Sequence, residues 1–208
     1  MSSRSYDSTL RAEQARMTRA RILDAARSLL LERGYPSMTI SALAETAGVS
    51  TQTIYNAVGN KAAVIKAVYD VTLAGDDDPL PMAERPEFRA VSEATDAASM
   101  LRAYAAFGRG ISERIAPLLA VLTTHSDDDV RSFVTTTDTE RLHGNTMTVN
   151  AISRRFGLPS GVTRRRAIDT VWALTAPELY DRLVRQRGWT PDDYEDWLAS
   201  AMIAALVA

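Results

Sequence analysis

The 208-residue chain has no cysteine and only two histidines. Without a thiol there is no disulfide, no thiolate metal site and no cysteine nucleophile. His125 and His143 stand eighteen positions apart, and no H-E-x-x-H, G-x-S-x-G, G-x-G-x-x-G or phosphate-loop pattern accompanies them. No catalytic residue is assigned on this basis, and no enzyme is expected. Two acidic runs, 76–78 and 127–129, invite a metal. They fall at a linker and at a helix start, where acids are ordinary, and they lack calcium-loop spacing. No metal and no cofactor are expected. No apolar run reaches the length of a membrane span, and the polar N-terminus does not read as a secretory signal. The expectation is a cytoplasmic protein with no membrane partner. The composition, 46% hydrophobic and 24% charged, is ordinary for a globular chain.

What the chain does carry is concentrated at 39–61, TISALAETAGVSTQTIYNAVGNK. Ile40, Leu43, Ala44 and Ala47 share one face of a helix over 40–47. Gly48 ends it, because glycine enters a left-handed cap without steric penalty. Val49 is apolar and can plug the angle that follows. Ser50 is a good N-cap for a second helix running to about Val58. Two short helices around a tight turn form a helix-turn-helix, whose second helix lies in the DNA major groove. That second helix bears Thr51, Gln52, Thr53, Tyr55 and Asn56 and no formal charge, a surface suited to hydrogen-bonding base edges. Asn60 caps the next helix. Lys61 in its first turn opposes the helix dipole, a local cost that contact with a DNA phosphate would offset.

The pattern resembles the TetR family of bacterial transcriptional regulators over about residues 18–74. It is carried by Gly34-Tyr35, Thr39, Leu43-Ala44, Ala47-Gly48-Val49-Ser50, Thr53-Ile54-Tyr55 and Lys61. Three positions depart from the family pattern. Val58 stands where phenylalanine is usual, Asn56-Ala57 where histidines or other aromatics are common, and Gln52 where glycine is frequent. The smaller valine implies looser packing at the end of the second helix, and Gln52 adds a base-reading side chain. A second, weaker resemblance covers 162–208, through Trp172-Ala173-Leu174-Thr175, Pro177-Glu178-Leu179-Tyr180-Asp181 and Gly188-Trp189. In that family the last two long helices of each subunit form a four-helix bundle across a two-fold axis. The resemblance assigns that role to about 162–187 and 191–207, where Ala199, Ala201, Ala204 and Ala205 permit close helix approach.

The remaining periodicities predict an all-α chain of about nine to ten helices. An N-terminal three-helix helix-turn-helix domain (1–74) precedes a larger C-terminal helical domain (75–208) for ligand binding and dimerisation. Residues 1–15 lack periodicity and read as an arm, with the first helix over 17–33 burying Ile22, Ala25, Ala26, Leu29 and Leu30. A fourth helix over 61–74 turns Val64, Ile65, Val68 and Val71 inward. Prolines and acids at 75–86 break the pattern there. Further helices are predicted over 95–123, kinked or restarted at Pro117, over 127–156 with Val130, Phe133 and Val134 inward, and up to about Thr175. Two more start at Pro177 and after Thr190. Residues 1–75 hold nine Lys and Arg against six Asp and Glu; residues 76–208 hold fifteen against twenty. One reading is that one end approaches phosphate while the other is repelled by it; the other is random scatter of charge.

The expected partners are double-stranded operator DNA, a second copy of the chain in a homodimer, and a small-molecule effector of unknown identity. Phosphate contact falls to Lys61 and Thr39, with Tyr55 shared between phosphate and base. Thr51, Gln52, Thr53 and Asn56 are the base-edge candidates, supported by the Ser50 cap. Arg11, Arg16, Arg19 and Arg21 either reach phosphate or minor groove or belong to a solvated tail and helix surface. Effector candidates, implied by the resemblance to a family with a pocket between its C-terminal helices, are Tyr104, Phe107, Phe133, His143, Met147 and Trp172. Each also reads as plain core or, for His143, as surface. Repression is favoured over activation, since blocking polymerase needs only occupancy. The competing reading is a helical ligand-binding or interaction protein without operator binding. The departures at Val58 and Gln52 keep it open, and the intact Ser50, Thr53, Tyr55 and Lys61 weigh against it.

Overall fold

Ten α-helices and no strand make up residues 3–207, which the computed structural model describes. In chain order they are α1 (Ser3–Arg33), α2 (Ile40–Ala47), α3 (Thr51–Ala57), α4 (Lys61–Ala74), α5 (Arg89–Glu93), α6 (Ala97–Leu122), α7 (Asp128–Arg155), α8 (Arg164–Leu174), α9 (Pro177–Tyr180) and α10 (Pro191–Leu206). The chain divides into two compact units, residues 1–77 with 117–133, and residues 78–116 with 134–208. The sequence places the break at 74/75. The structure places it at 77/78 and returns part of the second half, 117–133, to the first unit.

In the first unit the expected stripe of α1 is the buried one, with Ile22, Ala26 and Leu30 fully enclosed. Met38, Leu43, Ile54, Val64 and Ile65 are equally inaccessible. Burying side chains of this kind is worth about 1.5–3 kcal/mol each, an upper estimate against an extended chain. The returned segment adds Leu118, Leu122, Val130 and Phe133 to the buried set. Phe133 meets the Tyr69 ring edge-on at 5.2 Å.

Two expectations fail here. α1 begins at Ser3 rather than near Met17, so the segment read as an arm is helical; residues 1 and 2 of that arm lie outside the described residues. Leu10 through Met17 are all exposed, so over 10–17 there is no buried stripe to give a helical period. Good helix formers and a Glu13–Arg16 pair at 2.9 Å favour the helix locally. Val134, expected inward, is 39% exposed.

In the second unit Leu101, Ala105, Val149, Ile152, Val171, Leu198 and Met202 form the centre of one apolar cluster. Arg109 on α6 ties to Glu195 on α10 at 3.1 Å and to Glu113 at 3.2 Å. α6 runs without interruption through Pro117. α10 opens on a full capping box, Thr190 with Asp193. The helix starting at Pro177 continues over Asp181–Gln186 in wide π turns, a geometry the spacing did not signal. The linker at 75–88 holds only short 3-10 turns, as its prolines require, but the five-residue α5 after it was not foreseen.

Candidate nucleic-acid interface

Local chemistry fixes α2 and α3 relative to each other. The Thr39 hydroxyl accepts from the Ala42 N–H at 3.1 Å and starts α2. Gly48 ends it at φ +62°. A Cβ there would meet nothing within 4 Å, so the backbone conformation, not space, demands glycine. The Gly48 and Val49 N–H groups then close on Glu45 and Ala44 carbonyls. Ser50 accepts from the Thr53 N–H at 3.0 Å and starts α3. Ile54, fully buried, pins that helix to its unit.

The outward face of α3 is Thr51, Gln52, Tyr55 and Asn56, all exposed. Tyr55 is 52% exposed, unusual for so large a side chain. Gln52 Nε2 donates to Asn56 Oδ1 at 3.0 Å. Thr53 is half-buried and its hydroxyl lies 2.8 Å from that of Ser50, so it serves the cap more than the outer face. Thr39, exposed at the start of α2, retains a hydroxyl proton to donate.

Lys61 is placed differently from the simplest expectation. Its ammonium lies 3.7 Å from the centre of the Tyr35 ring and donates to the Tyr35 carbonyl oxygen at 3.4 Å. The Tyr35 hydroxyl donates to Asp127 Oδ1 at 2.9 Å. Burial and this carboxylate push the Tyr35 hydroxyl well above the usual phenol range. Burial alone would raise the Asp127 carboxyl; the Val130 N–H, the Tyr35 hydroxyl and the Lys61 charge outweigh it and hold it below its ordinary value. The compensation expected from a phosphate for a cation at a helix start is therefore available inside the unit. Among the arginines, Arg19 pairs with Asp77 at 3.1 Å and Arg16 with Glu13.

The six effector candidates do not come together. Phe133 belongs to the first unit. His143 is exposed and Met147 is 54% accessible. Tyr104 and Phe107 join an aromatic set with Phe88, at 6.4 and 5.1 Å. Tyr104 and Trp172 also belong to a buried polar chain that the sequence reading missed. The Tyr104 hydroxyl donates to Asn145 Oδ1 at 2.6 Å, and Asn145 Nδ2 donates to Thr175 Oγ1 at 2.9 Å. Arg141 binds the Trp172 carbonyl and Asp138, and its guanidinium lies 5.0 Å from the Trp172 ring centre. Trp172 Nε1 is buried without a partner among the described residues. Burial pushes the Tyr104 phenol up. Polar residues at 141, 145 and 148 on the same face as Val149 and Ile152 were the available signal. An open recess elsewhere in this unit is lined by Trp189, Asp193 and Trp197, none of them a candidate.

Comparison with known proteins adds to this geometry. The family model described as bacterial regulatory proteins, tetR family, matches residues 22–68. The chain is 40% identical over 84 residues to the uncharacterized HTH-type transcriptional regulator YdeS of Bacillus subtilis (strain 168), a match covering 40% of this chain and 42% of that protein. It is 47% identical over 51 residues to the HTH-type transcriptional regulator AlkX of Mycobacterium tuberculosis, covering 24% of each. The chain thus aligns with less than half the length of these curated relatives. The crystal structure of native NalD, the secondary repressor of the MexAB-OprM multidrug efflux pump in Pseudomonas aeruginosa, superposes with a TM-score of 0.69. That similarity covers 93% of this chain and 98% of NalD at 21% identity, a likeness of fold.

Proposed function

We propose that this chain, which belongs to the tetR family of bacterial regulatory proteins, is a homodimeric, sequence-specific DNA-binding repressor released by a small molecule. The observation that carries the reading is the outer face of α3: exposed Thr51, Gln52, Tyr55 and Asn56, uncharged, on a helix locked by the Ser50 cap and Ile54. Such a face gains most by laying directional hydrogen bonds along base edges. Thr39 and Lys61 at neighbouring helix starts would hold phosphates and set the register. One α3 reads few base pairs, so a two-fold pair is required, with half-sites spaced by a helical turn or its multiples. α8 and α10 supply the pairing surface, where Ile168, Trp197, Ala201 and Ala205 are only half-buried and Ala204 is exposed.

The effector would bind in the second unit. The part-buried chain from Tyr104 through Asn145 and Thr175 to Arg141 supports a site there, because Trp172 Nε1 lacks an acceptor among the described residues. Release requires an effector that prefers the conformation in which the two α3 helices no longer match the groove. NalD, which this chain resembles in fold, is a secondary repressor, in keeping with occupancy as the mode of action.

A gel-shift with DNA from upstream of the protein's own gene tests the reading. Retardation that survives excess non-specific DNA is expected. Retardation abolished equally by any duplex would favour a helical ligand-binding or interaction protein without an operator.

A further inference from the structure

Gln52 and Asn56 sit four residues apart on α3, about 6 Å along the helix axis. Their side chains are exposed, and yet they are bonded to each other through Gln52 Nε2 and Asn56 Oδ1. Each amide carries one acceptor oxygen and two N–H donors. Once this bond is made, the two side chains are no longer equivalent readers. Gln52 keeps its oxygen and one N–H, an acceptor beside a donor. That edge is complementary to adenine, which offers an N6 donor beside the N7 acceptor in the major groove. Asn56 has its oxygen engaged and keeps two free N–H donors. It suits a base with acceptors on its groove edge: guanine N7 and O6, or thymine O4. Cytosine, whose edge offers only the N4 donor, is disfavoured there.

We propose that Gln52 and Asn56 read DNA as one coupled unit, in which their mutual hydrogen bond commits Gln52 to adenine and Asn56 to an acceptor-edged base one or two steps away. The proposal rests on the DNA-binding reading above and adds the specificity of that site. Asn56 is then a positioning residue for the adenine contact as well as a reader. Among the described residues no other side chain hydrogen-bonds to Gln52. Without Asn56 the Gln52 amide is free to rotate and to present either end to a base. With it, the amide is oriented before contact, which lowers the ordering cost of binding.

The test is selection from random duplexes by the full-length chain and by two variants, reading base preference at each position. Wild type is expected to enrich adenine at one half-site position and to exclude cytosine at a position one or two steps off. Asn56→Ala is expected to lose about tenfold of the discrimination at both positions, including the adenine it does not touch. Asn56→Asp keeps an acceptor for Gln52 but loses the donors. It is expected to retain adenine and to switch the second position to cytosine or adenine, whose N4 or N6 donates. Preference ratios are compared rather than affinities, because the added carboxylate weakens all binding near phosphates. Circular dichroism confirms that each variant keeps its helices. An Asn56→Ala protein with undiminished adenine preference overturns the coupling while leaving DNA binding in place. A wild type that enriches no sequence overturns the DNA-binding reading itself.

Discussion

Lys61 covers the face of the Tyr35 ring, 3.7 Å from its centre, while the hydroxyl of the same tyrosine donates to Asp127. One aromatic side chain thus links the start of α4 to the residue preceding α7, within a single unit. Lys61 therefore has a structural partner whether or not a phosphate is near. Lys61→Met is expected to lower stability by about 0.5–2 kcal/mol, the worth of a partly desolvated cation over a ring. Urea titration reads this directly. If the same ammonium also meets a phosphate, the variant binds every duplex more weakly and its salt slope falls by about one per protomer. An unchanged slope would leave Lys61 with the structural role alone.

Gly48→Ala tests the turn. Nothing lies within reach of the added methyl, so the substitution isolates the strain of a left-handed backbone. The expected loss is about 1–2 kcal/mol in thermal or urea unfolding. A neutral result would mean that the turn relaxes, and then DNA affinity should fall instead as α3 shifts.

The start of α10 should be acid-sensitive. Bonds from the Thr190 hydroxyl and N–H hold the Asp193 carboxyl below its ordinary value. A depressed folded-state pKa stabilises the fold above the unfolded value and loses that contribution as pH falls through the folded one. The lead in melting temperature of wild type over Asp193→Ala should be present at neutral pH and shrink below about pH 4. A lead independent of pH would remove the capping box from the account.

Burial pushes Tyr194 up to about 12. A raised folded-state pKa gives stability that is complete below the unfolded value near 10 and is lost as pH rises towards the folded one. Tyrosinate absorbance should therefore contain a late component near pH 12 that Tyr194→Phe removes. Alkaline unfolding should also begin later in that variant. Identical titrations of the two proteins would contradict this.

The parts readable in the sequence are those governed by local chemistry. α2 is bounded as expected because Thr39 and Gly48 are cap residues, and α3 and α4 start where the side-chain oxygens of Ser50 and Asn60 accept from the Thr53 and Ala63 N–H groups. α10 follows from Thr190-Pro191-Asp192-Asp193 for the same reason. What escaped was either helix without burial or contact without proximity in sequence. Leu10 through Met17 in the extension of α1 are exposed, so that stretch leaves no period to detect. Tyr35 with Asp127, Arg109 with Glu195 and Tyr104 with Asn145 join residues far apart in the chain, and no local pattern announces such pairs. In the candidate interface the residue types on α3 are apparent from the sequence, but the Gln52–Asn56 bond and the inward turn of Lys61 arise only from the three-dimensional packing.

The most direct test of the central claim combines light scattering with selection from a random duplex pool. Two protomers bound to one duplex, whose sequence is two-fold symmetric with half-sites about one helical turn or a multiple apart, are expected. A protein that remains monomeric and binds all duplexes alike at moderate salt would contradict the claim that a pair of α3 helices reads DNA.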